Sequence, residues 1–154
     1  MSNGTKVKKR SGHLEPLDLN KIHKMVEEAC KDLAGVSASQ VEINSGVQFF
    51  DGIKTSEVQE ILIKSASDLI DLDNPNYQFV AARLLLFALR KQLWGRMHES
   101  PNLGDHITQC VMKGVYDKAI VTKYTDDEID MLQSYLDHDR DFLFTYAGLR
   151  QVVD

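Results

Sequence analysis

The sequence predicts a mainly α-helical protein: a small four-helix bundle capped by a β-hairpin, with further helices after it. Apolar residues recur at helical spacing in successive stretches of the first 95 positions. "KVKKR" and "HLEPL", near the start, flank a Ser-Gly turn as two short strands would. The 154 residues are 43% hydrophobic with only three prolines, the composition of a globular chain rather than a disordered one.

Taken in order, the hairpin places Gly12 where φ must be positive, and Pro16 puts its second strand at a sheet edge or at its own end. Asp18 stands where a helix cap belongs, and Ile22, Val26, Ala29 and Leu33 give a first helix over 19–34. Ser37 and Gln40 have the spacing of a capping box for a second helix over 38–49, with Val41, Val47 and Phe50 as its apolar face. The chain turns at Asp51-Gly52 and restarts as a third helix at Thr55 or Ser56, where Ser56 and Gln59 again fit a capping box. Val58, Ile61, Leu62, Ser65 and Leu69 form its buried face. Asn74-Pro75 breaks the chain, and a fourth helix runs over 76–94 and closes at Gly95. That helix is apolar nearly all round, which calls for neighbours on several sides.

Residues 96–104 are polar and irregular, and the domain boundary is placed there, dividing the chain into 1–95 and 96–154. A short helix at 105–113, a loop from Tyr116 to Tyr124 and a helix capped by Thr125 and Glu128 follow. The closing "DRDFLFTYAGLRQVV" reads as helical. Phe142, Leu143, Phe144, Tyr146, Leu149 and Val152 have no evident partners in so short a tail, so it is expected to pack on something outside the chain.

Charge is distributed unevenly. Residues 1–24 hold Lys6, Lys8, Lys9, Arg10, Lys21 and Lys24 against Glu15 and Asp18, a balance of +4; the whole chain is −5, so residues 25–154 carry −9. The acidic bulk argues against general nucleic-acid binding. No apolar run reaches the roughly 18 residues of a membrane span. The basic start has no apolar core for a signal peptide, so the cytoplasm is the default location. Cys30 and Cys110 form no CxxC and read as reduced, structural thiols.

No GxxxxGK[ST] or GxGxxG loop is present. Anions can be held in another way. Lys9 and Arg10 stand on a hairpin near helix starts, whose unpaired N–H groups attract negative charge. Thr55 could donate a hydroxyl there, and Lys91 could reach a shared pocket from the fourth helix. Each also has a plainer role, as solvated surface, cap or dipole partner. The residues alone support a helical domain with an anion site and no more.

Three separated blocks, "KRSGHLEPLDLNKIHK", "DGIKTSEVQEILIKSASDLI" and "PNYQFVAARLLLFALRKQLWG", together resemble the ATP-cone, the nucleotide-sensing domain of ribonucleotide reductase large (alpha) chains. "DHITQCVMKGVYD" and "YTDDEIDMLQSYLDHDRDFLFTYAGLRQ" resemble the segment entering the catalytic barrel of class I enzymes. The cone-bearing repressor of reductase genes carries a zinc ribbon, for which this chain has no CxxC. The resemblance implies a β-hairpin lid over four helices, with ATP or dATP beneath it as allosteric effector, and Mg2+ as its companion. It implies phosphate contacts for Lys9, Arg10 and Lys91, with Thr55 and Lys21 lining the site. Val7, Glu15, Asp18 and Ile22 are implied around the adenine, and Gln59 close to the nucleotide.

The family often has asparagine at the position of Asp18, and histidine at those of Gln59 and Ala88. From those departures, weakened discrimination or inhibition by dATP is expected. The thiyl-forming cysteine and redox pair of the family lie in the barrel, and Cys30 and Cys110 do not match them. On this reading the chain is one piece of a split or truncated large chain, with no catalytic and no metal-binding residues of its own. It would serve deoxyribonucleotide biosynthesis for DNA replication only with the rest of the large chain and the radical-generating small subunit, as part of an oligomer. Two other classes compete. A cone that has lost its nucleotide would be a helical interaction module. A metal phosphohydrolase is suggested by His138-Asp139 with His98, His106, Asp141 and Asp154, but that chemistry needs more histidines and a final aspartate.

Overall fold

The computed structural model describes residues 4–153. Two strands, β1 (Lys6–Lys8) and β2 (Leu14–Pro16), form the antiparallel hairpin, with Val7 opposite Glu15. Gly12 takes φ +87° in its turn. A third strand, β3 (Ile53–Lys54), pairs parallel to β1, so the sheet order is β2-β1-β3. Pro16 therefore ends an edge strand, where its missing N–H costs no ladder bond. The third strand was not legible: two residues carry no period, and their partner lies 46 positions away.

The helices α1 (Leu19–Cys30), α2 (Ala38–Gly46), α3 (Thr55–Ser67) and α4 (Tyr77–Trp94) follow. Asp18 caps α1 by accepting from the Lys21 N–H at 3.2 Å. α1 ends four residues before the expected limit because Lys31 turns extended and Asp32 adopts φ +59°.

The second helix departs most from expectation. Ser37 makes no side-chain cap. The reason is Tyr77, which is buried and must satisfy its hydroxyl. That hydroxyl accepts from the Ser37 N–H at 3.0 Å and donates to Gln40 Oε1 at 2.6 Å, occupying the glutamine meant for the cap. Val47 and Phe50 are exposed, and α2 buries Val41 and Ser45 instead.

α3 starts at Thr55, and no Ser56–Gln59 box forms. The Glu57 carboxylate accepts from the Lys54 N–H at 2.8 Å and ties that end. Its inner face is Val58, Gln59, Leu62, Ile63, Ser65 and Ala66, while Ile61 and Leu69 are half-buried. α4 is buried through Tyr77, Val80, Ala81 and Leu84–Phe87 and ends at Gly95, φ +75°. Trp94 is half-buried.

Two compact units divide the chain. The first joins residues up to Leu89 with Phe142 onward, and the second runs over Arg90–Asp141. In the first, α8 (Tyr146–Val153) returns to the bundle, which corrects the expectation of an unpartnered tail. Leu149 is buried, and Arg150 pairs with Glu60 of α3 at 3.1 Å. Phe142 meets Phe87 edge-on at 6.2 Å and lies under the Arg83 guanidinium at 5.5 Å. Those partners stand far upstream, out of reach of any pattern read within the tail. Leu143, Phe144 and Val152 are exposed.

In the second unit, α5 (Leu103–Met112) packs on α7 (Asp126–Tyr135) through Ile107 and Ile129. The Thr125–Glu128 capping box is present. A short helix, α6 (Ala119–Lys123), occupies what was read as loop. A 3-10 helix over His138–Leu143 replaces the regular helix expected there. Arg90, buried, pairs with Asp141 at 2.7 Å. Among the described residues, no helix is long and apolar enough to cross a membrane.

Candidate functional site

The candidate site gathers where the hairpin, the start of α1 and the start of α3 carry the expected residues. Val7, on β1, is buried with Ile53 of β3 beside it. Strand alternation then turns Lys6 and Lys8 outward, and both are exposed. The turn is closed by Gly12 N–H donating to the Lys9 carbonyl and Lys9 N–H donating to the His13 carbonyl, each at 2.9 Å. Lys9 and exposed Arg10 are thus held on a tight loop.

Lys9 Nζ lies 3.3 Å from Glu15 Oε2, across the hairpin. On α1, Lys21 Nζ lies 3.5 Å from Asp18 Oδ2. The Lys21 backbone N–H, bonded to Asp18, holds that carboxyl below its ordinary value. Asp18 and Ile22 are four residues apart, so they share a face of the first turn, Ile22 buried and Asp18 exposed. Exposed ion pairs are worth little, about 0–1 kcal/mol, so these cations can change partner at small cost.

Thr55 opens α3, and its hydroxyl donates to the Lys8 carbonyl at 3.3 Å. That bond joins the hairpin to the helix start. Gln59, one turn on, is buried. Val7, Lys9, Arg10, Glu15, Asp18, Lys21, Ile22, Thr55 and Gln59 therefore all lie on these three elements of the first unit. Lys91 stands half-buried in the last turn of α4, on the stretch belonging to the second unit, and Ala88 one turn before it in the first. Asp51 was missed. It was read only as a turn residue, yet its carboxylate accepts from the Lys6 N–H at 2.8 Å. An acid between the apolar pair Phe49-Phe50 and a glycine was the only local signal.

Burial pushes the Cys30 thiol up to about 11, so it stays protonated near neutrality. Cys110 Sγ lies 3.6 Å from His106 Nε2 on α5. His13 is exposed on the hairpin, and His23 is exposed on α1 between Glu42 at 2.8 Å and Glu27 at 3.1 Å. His138 pairs with Asp141 at 3.5 Å, and Asp154 is outside the described residues. Among the described residues, no group of three His, Cys, Asp or Glu side chains is placed to hold a metal ion.

The chain is similar in sequence to known proteins. The chain is 45% identical over 99% of its length to ribonucleoside-diphosphate reductase 1 subunit alpha of Escherichia coli. It is 43% identical over 99% to ribonucleoside-diphosphate reductase subunit alpha of Haemophilus influenzae. It is 39% identical over 95% to the protein of that name in Enterobacteria phage T4. The chain spans about one fifth of the length of these relatives (20%, 20% and 19%). The family model of the ATP cone domain matches residues 5–92, from the hairpin through the end of α4. A basic hairpin joined to a helix start, within a match over more than half of the chain, shows that this protein belongs to the ATP-cone domain family.

Proposed function

We propose that this chain is the allosteric, ATP- or dATP-binding portion of a ribonucleoside-diphosphate reductase large chain. The carrying observation is the bond from Thr55 to the Lys8 carbonyl, which sets the basic hairpin against the start of α3. The donor set suits a nucleoside triphosphate. Lys9, Arg10 and Lys21 supply cations, and Thr55, bonded to Lys8, holds the hairpin against the start of α3. Buried Val7 and Ile22 offer apolar surface for a base, and Glu15 can accept from an exocyclic amino group. Binding then works by exchange: Lys9 leaves Glu15, and Lys21 leaves Asp18, for phosphate oxygens. Glu15, released, becomes free to accept from the base. Lys91 joins this set on the family resemblance, as does Mg2+, carried in on the phosphates.

The chain does no chemistry on the effector and supplies no catalytic residue. Reduction belongs to the assembled enzyme, with the remainder of the large chain and the radical-generating small subunit as partners. Residues 1–95 are assigned to effector binding and 96–154 to the start of the catalytic region. The work is cytoplasmic, without membrane or nucleic acid.

Thermal unfolding with added nucleotide tests the reading. A ligand that binds only the folded state raises stability by mass action, by about 2.7 kcal/mol at one hundred times its Kd. The midpoint should rise with ATP and with dATP. A second reading, a helical interaction module, is favoured by the acids already paired with Lys9 and Lys21. No shift at millimolar nucleotide would give that reading the lead.

Asp18 and Gln59 also bear on the choice of effector. Asp18 can accept a hydrogen bond but cannot donate one when ionised, and it adds negative charge beside a polyanion. In the assembled enzyme, dATP should therefore inhibit weakly, and an Asp18→Asn, Gln59→His double variant should be inhibited by dATP more strongly. Full shut-off of the unmodified enzyme by dATP would refute this.

A further inference from the structure

The hairpin that carries Lys9, Arg10 and Glu15 has little of its own to hold it. Within residues 5–17, Val7 is the one buried residue. A lone two-stranded hairpin is marginal in water, so its position depends on what binds the free edge of β1. That edge meets β3, which is only two residues long.

Just before β3, both backbone groups of Lys6 are taken. Its N–H donates to Asp51 Oδ1 at 2.8 Å, and its carbonyl accepts from the Gly52 N–H at 2.9 Å. Gly52 adopts φ +83° at this point, a conformation that suits glycine. At the far end of β1 the Thr55 hydroxyl donates to the Lys8 carbonyl. A hydroxyl has one proton, so while it serves Lys8 it is a latch on the hairpin rather than a donor to a ligand.

We propose that Asp51 is a positioning residue for the nucleotide site. Its carboxylate clasps the Lys6 amide, fixes the hairpin's register on β3, and so sets where Lys9 and Arg10 stand relative to the start of α3. This rests on the nucleotide-binding reading above.

Charge and position predict opposite signs here, which makes the test sharp. Removing an acid near a polyanion tightens binding by charge alone, whereas losing the clasp weakens it. The experiment is ATP titration of the full chain and of Asp51→Ala and Asp51→Asn, with amide hydrogen exchange read at Lys6. Asp51→Ala should weaken ATP about tenfold and speed exchange at Lys6, with the helices melting as before. Asp51→Asn should recover most of both, because its amide oxygen can still accept. Unchanged or tighter ATP binding by Asp51→Ala overturns the proposal, as does an Asn variant as weak as the Ala variant with Lys6 still protected. An unmodified chain that binds no ATP sinks the nucleotide reading and this role together, while exchange at Lys6 in the variants still reports whether Asp51 holds the hairpin.

Discussion

His23 illustrates what a single side chain contributes here. It bridges Glu27 on its own helix and Glu42 on α2. The hydrogen bond to Glu42, aided by both carboxylates, raises the imidazole above its ordinary value of 6.5. Such a group stabilises the fold fully below its unfolded pKa and loses that contribution as pH rises through the raised folded value. His23→Gln should therefore lower the urea midpoint more at about pH 5.5 than at about pH 8.5. An equal loss at both would show that the proton plays no part. Residue-scale features of this kind were legible where they are local. The Asp18 cap, the Gly12 turn and the Thr125–Glu128 box each need only neighbours within three or four positions. The Ser37–Gln40 box failed for the opposite reason, because Tyr77 arrives from 37 positions away and takes Gln40.

Elements were read well when one face of a helix faced one core. α1 and α4 carry their burial in the sequence, through Ile22, Val26 and Ala29 and through the apolar run of α4. α2 did not, because it buries only Val41 and Ser45, leaving Ile43 and Val47 exposed. β3 and α8 went unseen as partners because their contacts are long-range. Leu149 gives the element-scale test. It is buried at 4% exposure while Val152, one turn on, stands 70% exposed. Leu149→Ala should cost about 2–5 kcal/mol in denaturant unfolding, and Val152→Ala should stay within about 0.5 kcal/mol. Equal effects would mean that α8 does not pack on the bundle.

Across the whole chain, charge is divided unevenly by sign. The +4 of residues 1–24 is concentrated on the hairpin and the first turns of α1, while residues 25–154 carry −9. The cations of the hairpin and α1 were legible as a cluster, but their pairing with Glu15 and Asp18 was not, since it depends on strand register and on side-chain reach. The same pairing sets the energetics: exposed pairs exchange at little cost, so on the proposed function a triphosphate would replace the acids without disturbing the core. The most direct measurement is calorimetric titration with ATP of the unmodified chain and of its Lys9→Ala and Lys91→Ala variants. Saturable binding by the unmodified chain, abolished in both variants, is the predicted result. A folded chain that takes up no ATP, or variants that bind it as the parent does, would contradict the assignment of the basic hairpin as a nucleotide site.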